Sequence, residues 1–236
     1  MRVLSLNTWH GECKPALRAF LLSQLETVDV FCLQEASGDA IEEIITTLFA
    51  GPEFQIAMAT KDGYVSDGYC VYIIAKKPIT LLSGLPLLDD GDPDTGLALA
   101  AKLQVDSEHL VIVSVRGMPY PGDKLDSEGR LRQTRQLLEW LGDQPIPAIV
   151  CGDFNLDPAT KSVQKFAAAG YRDLVKEYQI ATTRNRLAWE KWPNNMQLYA
   201  DYTFVSPGVT VTDFRVPAME VSDHLPMIID VNLLEQ

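Results

Sequence analysis

The sequence has few basic residues, few cysteines and no long apolar run. Its 20 lysines and arginines stand against 32 aspartates and glutamates, which gives a formal net charge of -12 over 236 residues. A protein that holds nucleic acid by bulk electrostatics needs a basic face, so this composition argues against such a protein. It does not exclude a locally positive site inside an acidic shell.

The cysteines are too few and too scattered to form a framework. The four of them occur singly, without a CxxC pair or zinc-type spacing: Cys13, Cys32, Cys70 and Cys151. This pattern excludes a disulfide-rich scaffold and a cysteine-based zinc module. Two of them, Cys32 and Cys151, lie in apolar runs, where a thiol behaves as a small core hydrophobe. We expect all four to be reduced, which favours a cytoplasmic protein.

The absence of long apolar runs excludes a membrane-spanning helix, which needs roughly 20 apolar residues. The first residues also lack an apolar segment of signal-peptide length. Hydrophobic residues make up 47% of the chain and charged residues 22%, which is ordinary for a globular protein. At this length we expect one domain, residues 1–236, without a transmembrane segment.

Short apolar runs of strand length recur along the chain and alternate with helix-like segments. The predicted strands are Val3–Leu6, Val28–Leu33, Tyr69–Ala75, Leu97–Val105, Leu110–Val115, Ala148–Cys151, Tyr202–Val205 and Met227–Val231. The predicted helices are Lys14–Leu25, Asp39–Phe49, Asp126–Leu141 and Ala159–Ala169, the last with Pro158 in its first turn. Strands also follow strands directly, so the pattern predicts α/β layers with a mixed sheet. Leu88–Gly96 and Arg184–Gln197 are predicted loops.

Polar residues follow several of these strands at their C-terminal ends. Asn7 ends the first run, and Glu35 follows the second. Asp153 and Asn155 follow the run at Ala148–Cys151. Any one of these residues alone is usually a turn former or a helix cap. In layered α/β proteins, however, ligands collect outside the strand ends, so we expect these side chains to converge.

A pocket that collects these oxygens, together with Asp223, requires a cation to offset their mutual repulsion. Carboxylate and amide oxygens suit Mg²⁺, with Mn²⁺ as a substitute, better than Zn²⁺. Asp153 and Asn155 project to the same side if their strand continues. One of them can accept a proton from water or hold a metal, and the other can donate to a phosphoryl oxygen. The pattern therefore predicts a magnesium site suited to phosphoester chemistry.

His224 is the candidate catalytic imidazole. The chain has three histidines, and they lack the spacing of zinc ligands, which disfavours a zinc hydrolase. His224 lies beside Asp223 just before a strand, where it can act as a general base or as a donor to the transition state. Asp201, at the start of another strand, is the candidate carboxylate that orients it.

Five short motifs, in this order, resemble those of a known family. They are Leu6-Asn7-Thr8-Trp9, Leu33-Gln34-Glu35, Gly152-Asp153-Phe154-Asn155, Asp201-Tyr202 and Ser222-Asp223-His224-Leu225-Pro226. Together they resemble the endonuclease/exonuclease/phosphatase superfamily, which includes deoxyribonuclease I, abasic-site endonucleases, sphingomyelinases and inositol polyphosphate 5-phosphatases. The resemblance implies a four-layer α/β sandwich with two packed mixed β-sheets flanked by helices. It also implies Mg²⁺-dependent hydrolysis of a phosphoester, with in-line attack by water.

The resemblance further implies a role for each motif residue. Asn7 and Glu35 look like metal-site residues, with Glu35 as the main ligand. Asp223 resembles the residue at the edge of the metal site.

The remaining motif residues resemble groups that act on the substrate. Asp153 resembles the residue that positions or deprotonates the attacking water, and Asn155 looks like a donor to the phosphate. His224 resembles the catalytic histidine, and Asp201 the carboxylate that pairs with it.

At Arg116 the sequence departs from the pattern, because many members carry a histidine there. Arginine can donate two hydrogen bonds to a phosphate, but it cannot act as a general acid at ordinary pH. Alternatively, Arg116 satisfies backbone carbonyls or a carboxylate. The second hypothesis for the whole protein is a non-catalytic phosphate-binding or scaffold member with a compromised site. Lys124 either holds substrate or pairs with an aspartate, and both roles stay open.

The sequence narrows the choice of substrate class but does not identify one class. Basic residues cluster in few places, essentially Arg130–Arg135 and Arg184–Arg186, whereas an enzyme of duplex DNA needs a basic face. Small phosphoesters, nucleotides and lipid headgroups therefore rank level with nucleic acid or slightly above it. The loop with Trp189 and Trp192 could stack on a base, enter an interface or pack on its own domain. The oligomeric state is not readable.

Overall fold

Two six-stranded β-sheets form the centre of the molecule. The computed structural model describes residues 1–61, 69–87, 95–105 and 107–233. In the first sheet the strand order is β11-β12-β1-β2-β4-β3, and in the second it is β5-β6-β7-β8-β10-β9. The strands are β1 (Arg2–Asn7), β2 (Val30–Gln34), β3 (Phe54–Lys61), β4 (Tyr69–Lys76), β5 (Thr80–Leu87), β6 (Leu97–Val105), β7 (Glu108–Arg116), β8 (Ala148–Asp153), β9 (Arg172–Asp173), β10 (Asp201–Val205), β11 (Val209–Arg215) and β12 (Met227–Leu233).

In the described part of the chain, six helices and a short 3₁₀ turn at Trp9–Gly11 connect these strands. The helices are α1 (Lys14–Gln24), α2 (Asp39–Leu48), α3 (Glu128–Gly142), α4 (Lys161–Ala168), α5 (Leu174–Glu177) and α6 (Arg186–Lys191). None of the helices within the described ranges combines the length and the apolar character needed to cross a membrane.

Both sheets are mixed, as the order of strands and helices predicted. β1 and β2 run parallel, and so do β7 and β8, while the other paired strands run antiparallel. Each parallel pair brings two strand ends to the same edge of its sheet. The polar residues that follow these strands therefore meet at one end of the molecule.

Alternation of side chains along the first sheet separates two apolar layers. Val3 and Val30 belong to the core between the sheets, whereas Leu4 and Phe31 belong to a second cluster on the outer face. The helices α1 and α2 supply Leu17, Phe20, Leu21, Ile41, Ile44 and Ile45 to that outer cluster. On the other side of the molecule, α3 and α4 supply Leu137, Leu141, Val163 and Phe166 to the large core. The result is the predicted sandwich of four layers, with two packed mixed sheets flanked by helices.

The apolar runs located eight strands correctly, and the structure extends most of them by one or two residues. Four strands were not predicted: Phe54–Lys61, Thr80–Leu87, Arg172–Asp173 and Val209–Arg215. Three of these are the outermost strands of their sheets, with polar residues or with exposed apolar side chains such as those of Ile56 and Met58. The fourth, β5, is also outermost, and it contains Gly84 and Pro86, which are uncommon inside strands. An outermost strand needs no continuous apolar run, because one of its sides has no neighbouring strand.

Two local predictions need correction, and a third is largely untested. The segment Arg184–Gln197 is not only a loop, because the side chain of Asn185 caps α6 by accepting from the backbone N–H of Leu187. Pro158 lies before α4 rather than in its first turn, since Thr160 is the capping residue. The acidic loop predicted at Leu88–Gly96 lies mostly outside the described residues.

Gly152 is the residue whose backbone lets β8 approach β7. Its φ is +132°, and a Cβ built on it would lie 2.2 Å from the carbonyl oxygen of Val115. We therefore expect Gly152→Ala to destabilise the fold through backbone strain of about 1–3 kcal/mol, with steric overlap adding a similar amount. Urea unfolding monitored by circular dichroism measures the change. Gly142→Ala is the matched control, because nothing lies within 4 Å of its added Cβ. Equal stability of both variants would contradict this account.

Candidate active site

The predicted site residues meet at the end of the sandwich where β1, β2, β7 and β8 finish. The register pairs Asn7 with Gln34 in the first sheet and Arg116 with Asp153 in the second. A cavity of about 430 Å³ opens between the two sheet ends. Six predicted residues line it, namely Glu35, Arg116, Asp153, Asn155, Asp223 and His224, and the other two contact that lining directly.

Asp153 is the central acceptor of the site. Its Oδ2 accepts from Asn7 Nδ2 at 3.0 Å and from Asn155 Nδ2 at 3.0 Å, and its Oδ1 accepts from the Asn155 backbone N–H at 2.9 Å. The bond from Asn7 crosses from one sheet to the other. Burial raises the pKa of Asp153, but His224, Arg116 and the neighbouring cations outweigh burial and hold the pKa well below its usual range. Asp153 is therefore a fixed anion at neutral pH.

Glu35 forms an ion pair with Arg116. The distance between Glu35 Oε1 and an Arg116 terminal nitrogen is 2.6 Å, and the other terminal nitrogen donates to the carbonyl of Gly117 at 2.7 Å. Burial raises the pKa of Glu35, but the guanidinium of Arg116 more than compensates and lowers the pKa overall. Both interactions are those expected if Arg116 has a structural role, in which it satisfies a carboxylate and a backbone carbonyl. The Arg116 side chain nevertheless also lines the cavity.

Asp201 and His224 form the predicted pair. His224 Nδ1 lies 2.8 Å from Asp201 Oδ2 and 3.0 Å from Asp201 Oδ1, and both residues are buried. The contact joins the two sheets, because Asp201 begins β10 and His224 precedes β12. Burial lowers the pKa of His224, but Asp201 and Asp223 raise it, and the net pKa lies above its ordinary value. An imidazolium in this position presents Nε2–H to the cavity.

Two further cations in the cavity were missed or left open by the sequence. Arg184 binds Asp223 Oδ2 at 2.6 Å and is held by an isolated β-bridge with His224. It lay inside the segment predicted as a loop, and no local pattern indicates a contact 39 residues along the chain. Lys124 donates to Asn155 Oδ1. Lys124 lies four residues before the start of α3, and nothing in the sequence around it predicts that its side chain is buried.

The rim of the cavity carries aromatic side chains. Lys191 Nζ lies 4.8 Å from the ring centre of Trp9 and 6.0 Å from that of Trp192. Trp192 is 57% exposed and Tyr120 is 58% exposed. These rings are available to an aromatic or apolar part of a ligand.

The donor set fits a hard divalent cation. Glu35 lines the cavity, and its Oε2 lies 3.6 Å from His10 Nε2, beyond ordinary hydrogen-bond distance. Asn7 offers an amide oxygen that accepts from the backbone N–H of Trp9 at 3.0 Å, and Asp223 offers a carboxylate that pairs with Arg184. A second acidic group, Asp153, Asp201 and His224, has ligand atoms within 4.8 Å of one another. Its atoms are already committed to one another and to the two asparagines, which makes it the poorer metal site.

Comparison with known proteins identifies one family by sequence. The sequence model of the Endonuclease/Exonuclease/phosphatase family matches residues 4–224. No curated protein matches significantly by sequence.

Solved structures share the fold. The human nocturnin catalytic domain, with a bound sulfate anion, has a TM-score of 0.76 at 20% identity, covering 99% of this chain and 93% of that one. A mannosyl-6-phosphatase of Bacteroides thetaiotaomicron has a TM-score of 0.74 at 17% identity, covering 99% and 100%. A humanized TDP2 of D. rerio has a TM-score of 0.69 at 20% identity, covering 98% of each chain. The match over nearly the whole length shows that this chain belongs to the Endonuclease/Exonuclease/phosphatase family.

Proposed function

We propose that this protein is a Mg²⁺-dependent hydrolase of phosphoester bonds in which a bound water attacks phosphorus in line. Family membership supports the coarser statement, a phosphoesterase-type hydrolase. The observation that carries the proposal is the buried assembly on the cavity floor. There Asp153 is fixed by Asn7 and Asn155, beside the Asp201–His224 pair.

Asp153 holds the attacking water by accepting a hydrogen bond from it. A carboxylate offers about four acceptor positions, and three on Asp153 are occupied by Asn7 and Asn155. One position on Oδ1 is left for water. The lowered pKa makes Asp153 a weak base, so its contribution is to orient the water rather than to remove its proton early in the reaction.

His224 donates from Nε2 to a phosphoryl oxygen as negative charge grows there. Asp201 fixes the ring through Nδ1 and keeps the imidazole protonated. Arg116 adds positive charge at the same oxygens, although part of its guanidinium is used by Glu35 and Gly117. Asn155 already donates from Nδ2 to Asp153 and to Gly117 O, so its direct bond to phosphate stays a prediction.

Glu35, Asn7 and Asp223 would hold the ion, with Glu35 as the main ligand and Mn²⁺ as a substitute for Mg²⁺. Bound there, the ion would supply Lewis-acid stabilisation of charge on the phosphoryl group. Glu35 and Asp223 both line the cavity, and carboxylates that face one pocket favour a cation there.

The proposed substrate is a phosphoester small enough to enter the cavity: a small molecule, a nucleotide or a lipid headgroup, ranked level with nucleic acid or slightly above it. The net charge of -12 opposes tight duplex binding. Arg116, Lys124, Arg184 and Lys191 bring positive charge into the cavity, where they offset the carboxylates of Glu12, Glu35, Asp153 and Asp223. We further propose that residues 1–236 act as one domain and that the protein works in the cytoplasm, where its unpaired cysteines remain reduced.

A non-catalytic phosphate-binding protein is the second candidate, and the Arg116–Glu35 ion pair favours it. That pair places a fixed cation against the main metal ligand, where it competes with an incoming ion. Phosphate binding without turnover on any phosphoester, with Mg²⁺ and with Mn²⁺, would support this candidate.

Removing the carboxylate charge of Glu35 tests the metal assignment. We expect hydrolysis of a phosphoester panel to require Mg²⁺ or Mn²⁺ and to stop in EDTA. Glu35→Gln should raise the Mg²⁺ concentration for half-maximal activity about 10–100-fold, because the charge that holds the ion is gone. Isothermal titration with Mn²⁺ measures the same loss without turnover. Glu26→Gln, on an exposed turn, is the matched control. Unchanged metal affinity in Glu35→Gln would overturn the assignment.

A further inference from the structure

Lys124 is a buried lysine beside the reacting groups, and the mechanism above does not use it. It is 6% exposed, lines the cavity and donates to Asn155 Oδ1. Its backbone has a φ of +57°, and its carbonyl accepts from the N–H of Asp157 at 2.8 Å, which ties its loop to the segment after β8. A non-glycine residue in this conformation is uncommon and clusters at functional sites.

The Lys124 ammonium has donors left for a ligand. It carries three N–H bonds, and across the described ranges its single hydrogen-bond partner is the neutral oxygen of Asn155. A structural lysine that is buried is normally paired with a carboxylate. Two N–H bonds are therefore free to meet a substrate oxygen in the cavity.

The charges around Lys124 nearly balance. Asp153 on β8 and Asp201 on β10 stabilise the ammonium, whereas Arg184, before α6, and Arg116 on β7 oppose it. Burial is the largest influence, and it lowers the pKa of Lys124 to about 8. The group is protonated at neutral pH and gives up its proton more readily than an exposed lysine.

Cleavage of an alkyl phosphoester needs a proton on the departing oxygen, and the other cations are poorly suited to give it. Arg116 and Arg184 cannot lose a proton at ordinary pH. His224 is fixed through Nδ1 by Asp201 and serves the phosphoryl oxygens.

We propose that Lys124 is the catalytic acid that protonates the leaving-group oxygen, and that the substrates are phosphoesters of alcohols, such as those of sugars, rather than activated esters. This proposal rests on the proposed function and extends it. It also explains how the chain tolerates arginine at position 116.

The step balances as follows in atoms and charge. The water oxygen forms a bond to phosphorus, and the bond between phosphorus and the leaving oxygen breaks with its electron pair on that oxygen. The Lys124 ammonium gives that oxygen a proton, which yields a neutral alcohol and a neutral amine. The protons of the attacking water stay on the product phosphate until it returns one to Lys124 or releases one to solvent.

Leaving-group dependence tests the proposal. The probes are p-nitrophenyl phosphate, whose leaving group needs no proton, and ethyl phosphate, whose leaving group does. For a diesterase, the matched pair is thymidine 5′-phosphate esterified with p-nitrophenol or with ethanol. Lys124→Met should lower kcat for the ethyl ester about 10²–10³-fold and kcat for the nitrophenyl ester less than about 10-fold. Lys124→Arg should show the same selectivity, because arginine keeps the charge without being an acid.

Two further variants serve as controls for the Lys124 variants. His224→Gln should lose similar factors on both esters, and the exposed Lys165→Met should lose nothing. Equal losses on both esters in both Lys124 variants, with thermal unfolding showing that they fold, would overturn the proton-donor role and leave the proposed function standing. If the wild-type protein hydrolyses neither ester with Mg²⁺ or Mn²⁺, the proposed function fails and this proposal fails with it.

Discussion

Asp153→Asn should lower kcat about 10³-fold or more with little change in fold, because it removes the anion that orients the attacking water. The amide can still accept from Asn7 and Asn155 through its oxygen. Its nitrogen, however, places a donor where Oδ1 accepts from the backbone N–H of Asn155 and where it would accept from the attacking water. The variant also leaves the surrounding cations without a central negative charge. Steady-state kinetics on the best substrate of the panel measure the loss.

The contribution of the Asp153 carboxylate to the stability of the native state depends on pH. A carboxyl whose pKa is lowered by folding stabilises the native state above its unfolded pKa, and it loses that contribution as the pH falls towards the lowered value. Wild-type protein should therefore lose stability on acidification more steeply than Asp153→Asn. Asp143→Asn, on the exposed end of α3, is the matched control and should be neutral in both measurements. Retention of more than a tenth of the activity in Asp153→Asn would contradict the assigned role.

His224→Gln should lower kcat about 10²–10⁴-fold, and Asp201→Asn should approach the same loss. The imidazolium and its carboxylate act as a unit across a 2.8 Å contact, so the double variant should lose little more than the stronger single variant. Activity in the wild type should fall as the pH rises past the raised pKa of His224, because the donor proton is lost.

His109→Gln controls for the loss of a histidine, since His109 is the second residue of β7, where it pairs with Gln104 of β6, and it does not line the cavity. Fully additive losses in Asp201→Asn and His224→Gln would show that the two groups act independently. Unchanged turnover in His224→Gln would remove the histidine from the mechanism.

The sequence predicted the site best where a buried strand ends in a polar residue. Asn7, Glu35 and Asp153 each follow such a strand, and the proximity of Asp201 to His224 followed from their positions at strand starts. These inferences worked because a buried strand fixes both its direction and the edge at which it ends. The functional roles of these residues stay predictions, since proximity alone does not test them.

What the sequence could not predict depends on contacts between distant segments. Arg184 reaches Asp223 through an isolated bridge, and Arg116 reaches Glu35 across the gap between two sheets. Outer strands such as β3 and β11 lack a continuous apolar signal because part of their surface faces water. Burial of Lys124 is set by the loop that Asp157 anchors, and no local periodicity encodes that contact.

The pairing of β1 with β12 has a consequence for synthesis of the chain. β1 lies between β2 and β12 in its sheet, and the register pairs Arg2 with Asp230. Such distant pairing makes folding slow and delays it until both strands have been made. His224 comes immediately before β12, so Asp201 meets its partner only at that stage. A nascent chain that stops before β12 therefore lacks the contact between Asp201 and His224 that joins the two sheets.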